Sequence, residues 1–384
     1  MTKEPTVSTM SMIAYHQNAP ESWLPSPNPL TGPRNNRTEV FNDFSPSQLT
    51  RPLSAFPRRD FFIEHYKMIR SVLTSPYVSI PNYTIVAAGF NGRHFRHSVL
   101  PLHIDKPSDL VVGRHQKTHL CLLQDEAISL RHLLLRVSYQ DGKPLLRVID
   151  LYTQLGFNVL DEGVHPTTYA LCPTHFSWYV GNYQMMAILN KRMDWPEDPE
   201  EAWELIEQDR EQARQEKLAL RPEISDALQD LMSKKPPVSN PNPLPTGVHK
   251  DAQPKDDKLW TSYTTPELQA LSTNASVEVP LGYLEMDRER IPLTKSELQV
   301  GVLLGRYERC QVRNTLLKSN RVSRVHLMLW WDVIDEKLWA IDVASTNGST
   351  LTTLDSRKFL QPSVLLDGKA VLKLARETVY WHPM

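Results

Sequence analysis

The feature that most constrains this chain is a texture that occurs twice: blocks of short apolar runs cut by Gly, Pro, Asp and Asn. The first block, from about Tyr83 to Ile188, holds YTIVAAGF, HSVLPLHI, HLLLRVSY and PLLRVIDL. The second, from Ser276 to the end, holds SVEVPLGYLEM, QVGVLLG, HLMLWW, KLWAIDV, SVLLDG, AVLKLA and TVYWH. Runs this short, rich in Val, Ile, Leu and aromatics and bounded by turn formers, read as strands, and many of them at regular spacing point to antiparallel sandwiches. The expected fold class is therefore all-β, with two β-sandwich domains.

The segments around the blocks read differently. Met1–Leu53 contains eight prolines and no periodic apolar pattern, so it cannot bury enough surface to offset its ordering entropy, and residues 1–60 are expected to form a disordered tail. Phe61–Leu73 places Phe62, Tyr66, Ile69 and Leu73 on one helical face. Glu200–Leu220 has acids early and bases late, which suits a helix dipole, but its apolar stripe is only Trp203, Ile206, Ala213 and Leu220, so a largely solvated spacer helix is expected. Ser233–Lys258 carries six prolines in 26 residues and reads as a polyproline-like linker. The expected division is a tail at 1–60, a first sandwich with a leading helix at 61–190, a charged helical segment at 191–232, a proline-rich linker at 233–275 and a second sandwich at 276–384.

Charge narrows the partners. Lysine plus arginine number 43 against 44 acids, a net charge of −1, so there is no overall basic field for nucleic acid or for an anionic membrane surface, and neither partner is expected. Three cysteines without metal-type spacing suit a reduced intracellular chain. The first residues lack a signal-type apolar core, and the longest apolar runs, such as Ile85–Phe90, fall far short of the ~20 residues that span a bilayer. A cytoplasmic location without membrane insertion is the expectation.

The candidate site lies in the second block. Gly305-Arg306, the run from Asn320 through Ser323, Arg324 and His326, Asp342, and Ser345-Thr346-Asn347-Gly348-Ser349 all fall at strand ends or in loops, where binding residues sit on a rigid sheet scaffold. The set offers guanidinium forks, hydroxyls and a side-chain amide, but no paired carboxylates and no nucleophile with a base. Such a set binds a phosphate, because forks match phosphate oxygens two at a time, and lacks the parts to hydrolyse one.

The order Gly-Arg, Ser-Arg-x-His, Asp, Ser-Thr-Asn-Gly over residues 276–384 resembles the forkhead-associated (FHA) domain, a phosphothreonine-peptide-binding β-sandwich. The resemblance implies phosphate contacts from Arg306 and Ser323, with Arg324 adding charge. It implies that Thr346 lines the phosphothreonine subsite and that Asn347 holds the peptide backbone. Gly305, His326, Asp342 and Gly348 would support the site. The implied partners are a phosphothreonine-containing protein and the upstream serine/threonine kinase that makes it. No cofactor, metal or catalysis is implied.

The first block repeats the frame in altered form: Gly113-Arg114, Ser129-Leu130-Arg131-His132, Asp150, then Thr153-Gln154-Leu155-Gly156. Serine precedes histidine by three residues, and aspartate precedes glycine by six, in both copies. Leu155 replaces the asparagine, Gln154 the threonine and Leu130 the second arginine, so residues 82–190 read as a divergent FHA-like domain with, at most, a weak phosphate site at Arg114 and Ser129. His115, His119 and Cys121, and His94 with His97, resemble metal pairs, but no closed tetrahedral set follows from their spacing. The resulting expectation is a non-enzymatic phosphothreonine-binding adaptor. Two other readings stay open: an assembly component that uses the same surface without phosphate, and an enzyme with an unrecognised catalytic region in residues 1–200 that the FHA domain targets.

Overall fold

The computed structural model describes residues 57–219, 261–263 and 278–384, apart from 79, 90–94, 124, 141, 154, 161–163, 168, 288, 313–316, 318, 333–335, 353–356 and 360–362. Residues 1–56 of the expected tail and most of the proline-rich stretch lie outside the described residues, as do His94 and Leu220; Arg58, Arg59 and Asp60, expected in the tail, instead open the first helix.

Helix α1 (Arg58–Leu73) leads into β1 (Asn82–Gly89), β2 (Phe95–Pro101), β3 (Ser108–Gly113), β4 (Leu120–Cys121), β5 (Leu133–Gln140) and β6 (Lys143–Asp150). These are followed by β7 (Phe157–Leu160), β8 (Val164–Thr167), β9 (Tyr169–Cys172), β10 (Phe176–Val180) and β11 (Tyr183–Asn190), then helix α2 (Pro199–Ala219) and β12 (Thr261–Tyr263). The strands form two six-stranded sheets, β2-β1-β11-β10-β7-β8 and β12-β9-β6-β5-β3-β4. Between them lies a core that includes Tyr83, Ile85, Leu135, Val148, Phe157 and Trp178.

The second sandwich comprises β13 (Pro280–Met286), β14 (Glu289–Thr294), the short α3 (Lys295–Val300), β15 (Val302–Leu304), β16 (Leu327–Asp332) and β17 (Lys337–Asp342). It is completed by β18 (Ser349–Thr352), β19 (Arg357–Phe359), β20 (Ser363–Leu365), β21 (Ala370–Leu374) and β22 (Glu377–Pro383). Its sheets run β14-β13-β22-β21-β18-β19 and β15-β16-β17-β20. Strand for strand this is the topology of the first sandwich: β1, β2, β11, β10, β7 and β8 correspond to β13, β14, β22, β21, β18 and β19. The parallel pairing of β4 with β3 returns as a single parallel bridge between Leu304 and Val312.

Side chains alternate across a strand, so a sandwich with wet outer faces would show alternating burial. Strand β1 instead is buried throughout. Ile85 and Ala87 face the inner core, whereas Val86 and Ala88 pack under helices α1 and α2 together with Phe62, Tyr66, Ile69, Trp203 and Ile206. The reading of α2 as a mostly solvated spacer is corrected here. Its first half is clamped down by Ala202, Trp203 and Ile206, by Arg58 bonded to Glu207 at 2.9 Å, and by Asp209 between His175 (3.2 Å) and Arg192 (2.8 Å). The sequence stripe missed Asp209 and Arg210 because polar residues buried by pairing leave no apolar signal. Thr261–Tyr263, inside the stretch read as linker, adds β12 to the edge of the first sandwich beside β9.

The other outer face of the first sandwich is covered by the second sandwich. Val111, Leu134, Ile149 and Leu151 meet Leu303, Met328, Ile341 and Val343 in one apolar cluster. Two fully buried guanidinium groups cross it. Arg136 bonds Asp109 at 3.0 and 3.1 Å and lies 4.1 Å from the Trp339 ring centre, and Ser363 of the second sandwich also donates to Asp109. Arg147 bonds Ser138 of its own sandwich and Asp332 of the other at about 3 Å, with Trp330 5.6 Å from its guanidinium. The indoles of Trp330 and Trp339 thus hold cations across the interface. Removing one partner of a buried pair strands the other charge, which costs about 3–5 kcal/mol. Arg136→Met is therefore expected to lower stability by that order in urea unfolding of the full chain; a loss below about 1 kcal/mol would contradict the role assigned to the pair.

Candidate functional site

The site loops of the second sandwich converge at one end of sheet β15-β16-β17-β20. The chain leaving β15 runs so close to the serine loop that a Cβ on Gly305 would stand 2.2 Å from the Arg324 carbonyl oxygen, which reserves the position for glycine. The two segments are then joined by Arg306 N–H to Ser323 O (3.3 Å) and Tyr307 N–H to Arg324 O (2.9 Å).

His326 is fully buried and fixes the next junction. The Ser323 backbone N–H donates to its Nδ1 at 2.9 Å, so the ring proton resides on Nε2, which donates to Gly348 O at 3.1 Å. Burial holds the imidazole below its ordinary pKa, the nearby Asp342 and the Gly348 carbonyl opposing. Asp342 accepts from Ser345 N–H (2.7 Å), Ser345 Oγ (2.7 Å) and Ser349 Oγ (2.6 Å), closing the turn in which Gly348 sits at φ 72°.

On this frame the exposed and half-exposed groups come together. Ser323 Oγ accepts from Thr346 N–H at 2.8 Å and lies 3.3 Å from Thr346 Oγ1. Arg306 Nε donates to Val322 O at 3.0 Å, which aims the fork while its terminal nitrogens have no partner among the described residues. Asn347 donates one Nδ2–H to Arg321 O at 2.6 Å, leaving Oδ1 and the second N–H for a ligand. Arg324 is exposed beside them. Arg306, Thr346 and Asn347 are therefore exposed around Ser323, which is itself only 6% exposed.

The first sandwich has the same frame, except that Phe157 stands where Ser349 donates to the aspartate of the second. Gly113 passes the Leu130 carbonyl with a 2.4 Å clearance for a Cβ, and Arg114 N–H donates to Ser129 O at 3.1 Å. Ser129 N–H donates to His132 Nδ1 at 3.1 Å, and His132 Nε2 reaches Gly156 O at 2.8 Å. Asp150 accepts from Thr153 at 2.6 and 3.0 Å. The ligand-facing positions differ: Leu155 is exposed and Arg114 Nε has no hydrogen-bond partner. Gln154 lies outside the described residues.

Two residues missed by the sequence reading touch the site from the first sandwich. Arg131 Nε bonds Val343 O at 2.7 Å and its Nη2 bonds Ala344 O at 2.6 Å. Burial brings its guanidinium down to about 10, with Asp342 opposing, so it stays charged. Lys117 Nζ bonds Thr346 O at 2.5 Å. Nothing in the sequence signals either contact, because both depend on how the sandwiches meet.

Other candidates resolve locally. His119 Nδ1 accepts from Val111 N–H and His115 Nδ1 from Lys117 N–H, and no group of three potential metal ligands occurs among the described residues. Arg290 pairs with Glu285 and lies over Tyr283. No described helix is long and apolar enough to cross a membrane.

Fold and loops together define a chain of two β-sandwiches with like frames, one of which carries an exposed arginine, hydroxyl and amide cluster. Solved structures similar to the chain are FHA domains or contain them. The MEK1 FHA domain in complex with a HOP1 phosphothreonine peptide aligns at 26% identity and TM-score 0.23 over 27% of this chain and 98% of that one. Mycobacterium tuberculosis EmbR, in complex with a low-affinity phosphopeptide, aligns at 17% identity and TM-score 0.23 over 27% of this chain and 24% of that one. The FHA domain of the CT664 protein from Chlamydia trachomatis aligns at 18% identity and TM-score 0.21 over 28% and 96%. The chain thus spans about a quarter of EmbR and nearly all of the two isolated domains. No protein-family model and no curated protein matches the chain.

The buried histidines set a pH dependence. Burial lowers His132 and His326, and brings His97 and His175 to about 4. A histidine whose folded pKa lies below the unfolded value near 6.5 contributes its full stability above that value and loses it as pH falls toward the folded pKa. Asp150, raised to about 6 by burial with its Thr153 bonds opposing, acts in the opposite sense below that pH. Four imidazoles outweigh one carboxyl, so the urea midpoint is expected to fall between pH 7 and pH 5. A midpoint that holds or rises would contradict this balance.

Proposed function

We propose that the chain is an FHA-type phosphothreonine-binding adaptor whose working site lies in the second sandwich, where Arg306, Ser323, Arg324, Thr346 and Asn347 receive a phosphorylated partner. The observation that carries this reading is the aimed fork of Arg306 beside the Ser323 hydroxyl and the Asn347 amide, on a frame braced by His326 and Asp342. Phosphothreonine brings a charge near −2 and three strong acceptor oxygens, and a charge-assisted hydrogen bond contributes about 1.5–3 kcal/mol. The Ser323 O–H turns from Thr346 Oγ1 to a phosphate oxygen, and Asn347 Oδ1 accepts from the peptide backbone. The threonine methyl adds only about 0.8 kcal/mol if buried, roughly a fourfold preference over phosphoserine.

The site holds no paired carboxylates and no nucleophile with a base, so the reading is of a binder and not an enzyme. A serine/threonine kinase acts upstream by creating the ligand. The altered frame of the first sandwich, with Leu155 in place of the amide, makes Arg114 and Ser129 a weak second phosphate site at most, and the main role of that sandwich is to carry the second.

The test is fluorescence anisotropy of the full chain with degenerate peptide pools fixed at phosphothreonine or threonine. The phosphothreonine pool is expected to bind more tightly, Arg306→Ala to cost at least about tenfold, and Asn347→Ala to weaken both. Equal binding of the two pools would instead favour assembly through this surface without phosphate.

A further inference from the structure

The site loops of the second sandwich are completed by the first. Three hydrogen bonds run in series from one sandwich into the other: Lys117 Nζ to Thr346 O at 2.5 Å, Thr346 N–H to Ser323 Oγ at 2.8 Å, and Arg306 N–H to Ser323 O at 3.3 Å. An exposed ammonium of the first sandwich therefore stands two residues from the fork assigned to the phosphate.

Its placement is built and not incidental. The loop that carries Lys117 is pinned by the buried Thr118 hydroxyl, which donates to His115 O at 2.6 Å, and Lys117 N–H is itself held by His115 Nδ1 at 3.2 Å. Behind the ligand loop Arg131, 5% exposed, grips the carbonyls of Val343 and Ala344. One cation of the first sandwich thus fixes the loop from within while another reaches its mouth.

Charge says what the mouth takes. The cations that the structure ties to this mouth are Lys117 on Thr346 O, Arg306 and Arg324 on the two joined loops, and Arg321, whose carbonyl holds the Asn347 amide; the one carboxylate of the frame is Asp342. One phosphate near −2 does not balance that excess. An ammonium has three donors, and Lys117 uses one on Thr346 O, leaving two for a ligand.

Resting on the phosphothreonine reading above, we propose that the site is composite. Lys117 of the first sandwich is a specificity-determining residue that selects phosphothreonine peptides bearing a second anionic group, carboxylate or phosphate, beside the phosphothreonine.

The experiment uses the full chain and three phosphothreonine pools with flanking positions enriched in Glu, in phosphoserine or in Gln, plus an unphosphorylated pool. Wild type is expected to prefer the Glu or the phosphoserine pool over the Gln pool by about fivefold or more, as one charge-assisted contact provides. Preference for either supports the proposal and names the source of the second anion. Lys117→Ala is expected to narrow the difference to within about twofold while phosphate dependence persists through Arg306, and Lys117→Glu to invert it, a reversal that a merely structural lysine would not produce. Wild type that separates phosphothreonine from threonine but not the Glu and phosphoserine pools from the Gln pool overturns the composite site alone. So does a Lys117→Ala variant that keeps the wild-type preference. Absence of any phosphate dependence in wild type overturns the phosphothreonine reading and this inference with it.

Discussion

The molecule depends on the burial of Arg136 and Arg147 between two sheets. A guanidinium removed from water demands an anion, hydrogen-bond acceptors and, for its flat faces, something polarisable. Asp109, itself bonded by Ser363, takes Nη1 of Arg136; Ser138 and Asp332 take Nη1 and Nη2 of Arg147; Trp330 lies against both guanidinium groups and Trp339 against that of Arg136. These contacts are directional, so they set the angle at which the sandwiches meet. The surrounding apolar cluster could tolerate a slide; the forks cannot. That fixed angle brings Arg131 to the Ala344 carbonyl and Lys117 to that of Thr346.

The interface has an internal symmetry that follows from the repeat. Val111 and Leu303 each stand two residues before the paired glycines, Leu134 and Met328 two after the paired histidines, and Ile149 and Ile341 one before the paired aspartates. The two copies meet through the same face, as in an isologous dimer folded into one chain. Such an interface stays self-complementary only while its two halves are equivalent. Here they have diverged: Arg136 and Ser138 face from one copy where Trp330 and Asp332 face from the other. The pairing has become that of two unlike partners, which fixes which copy is which.

The sequence carried the strand blocks and the loop frame because both are local signals: apolar runs between turn formers, and short motifs at fixed offsets. It placed α1 through Phe62, Tyr66, Ile69 and Leu73, all of which are buried. It failed where burial is achieved by pairing, at Asp209 and Arg210 of α2 and at Arg136 and Arg147. There the only trace was a lack of alternation in strands such as LLLRV, which has several causes. Asn347 was read toward the peptide from its place in the motif, yet its amide nitrogen is held by Arg321 O. That difference depends on loop geometry, which spacing does not contain. Lys117 left no signal at all, since its partner lies 229 residues further along.

The divergence of the first copy has a direction. Its frame bonds, through Ser129, His132, Asp150, Thr153 and Gly156, are kept because without them the loop ends of β3, β5 and β6 would leave buried polar groups unpaired. What changed are the side chains that would face a ligand and the one at Arg131, where the second copy has Val325. That arginine reaches the neighbouring loop and donates to the carbonyl of Ala344, a non-glycine residue held at φ 56°. A residue in the left-handed region persists only when its surroundings over-determine it. The turn closed by the paired aspartate imposes it in both copies, since Tyr152 at the equivalent place has φ 55°, and Arg131 adds hydrogen bonds to Val343 O and Ala344 O from the other sandwich. Ordering done at the folding stage is not charged again on binding, so under the proposed phosphothreonine reading the hydrogen bonds from Arg131 and Lys117 of the first copy would lower the ordering cost at the site of the second.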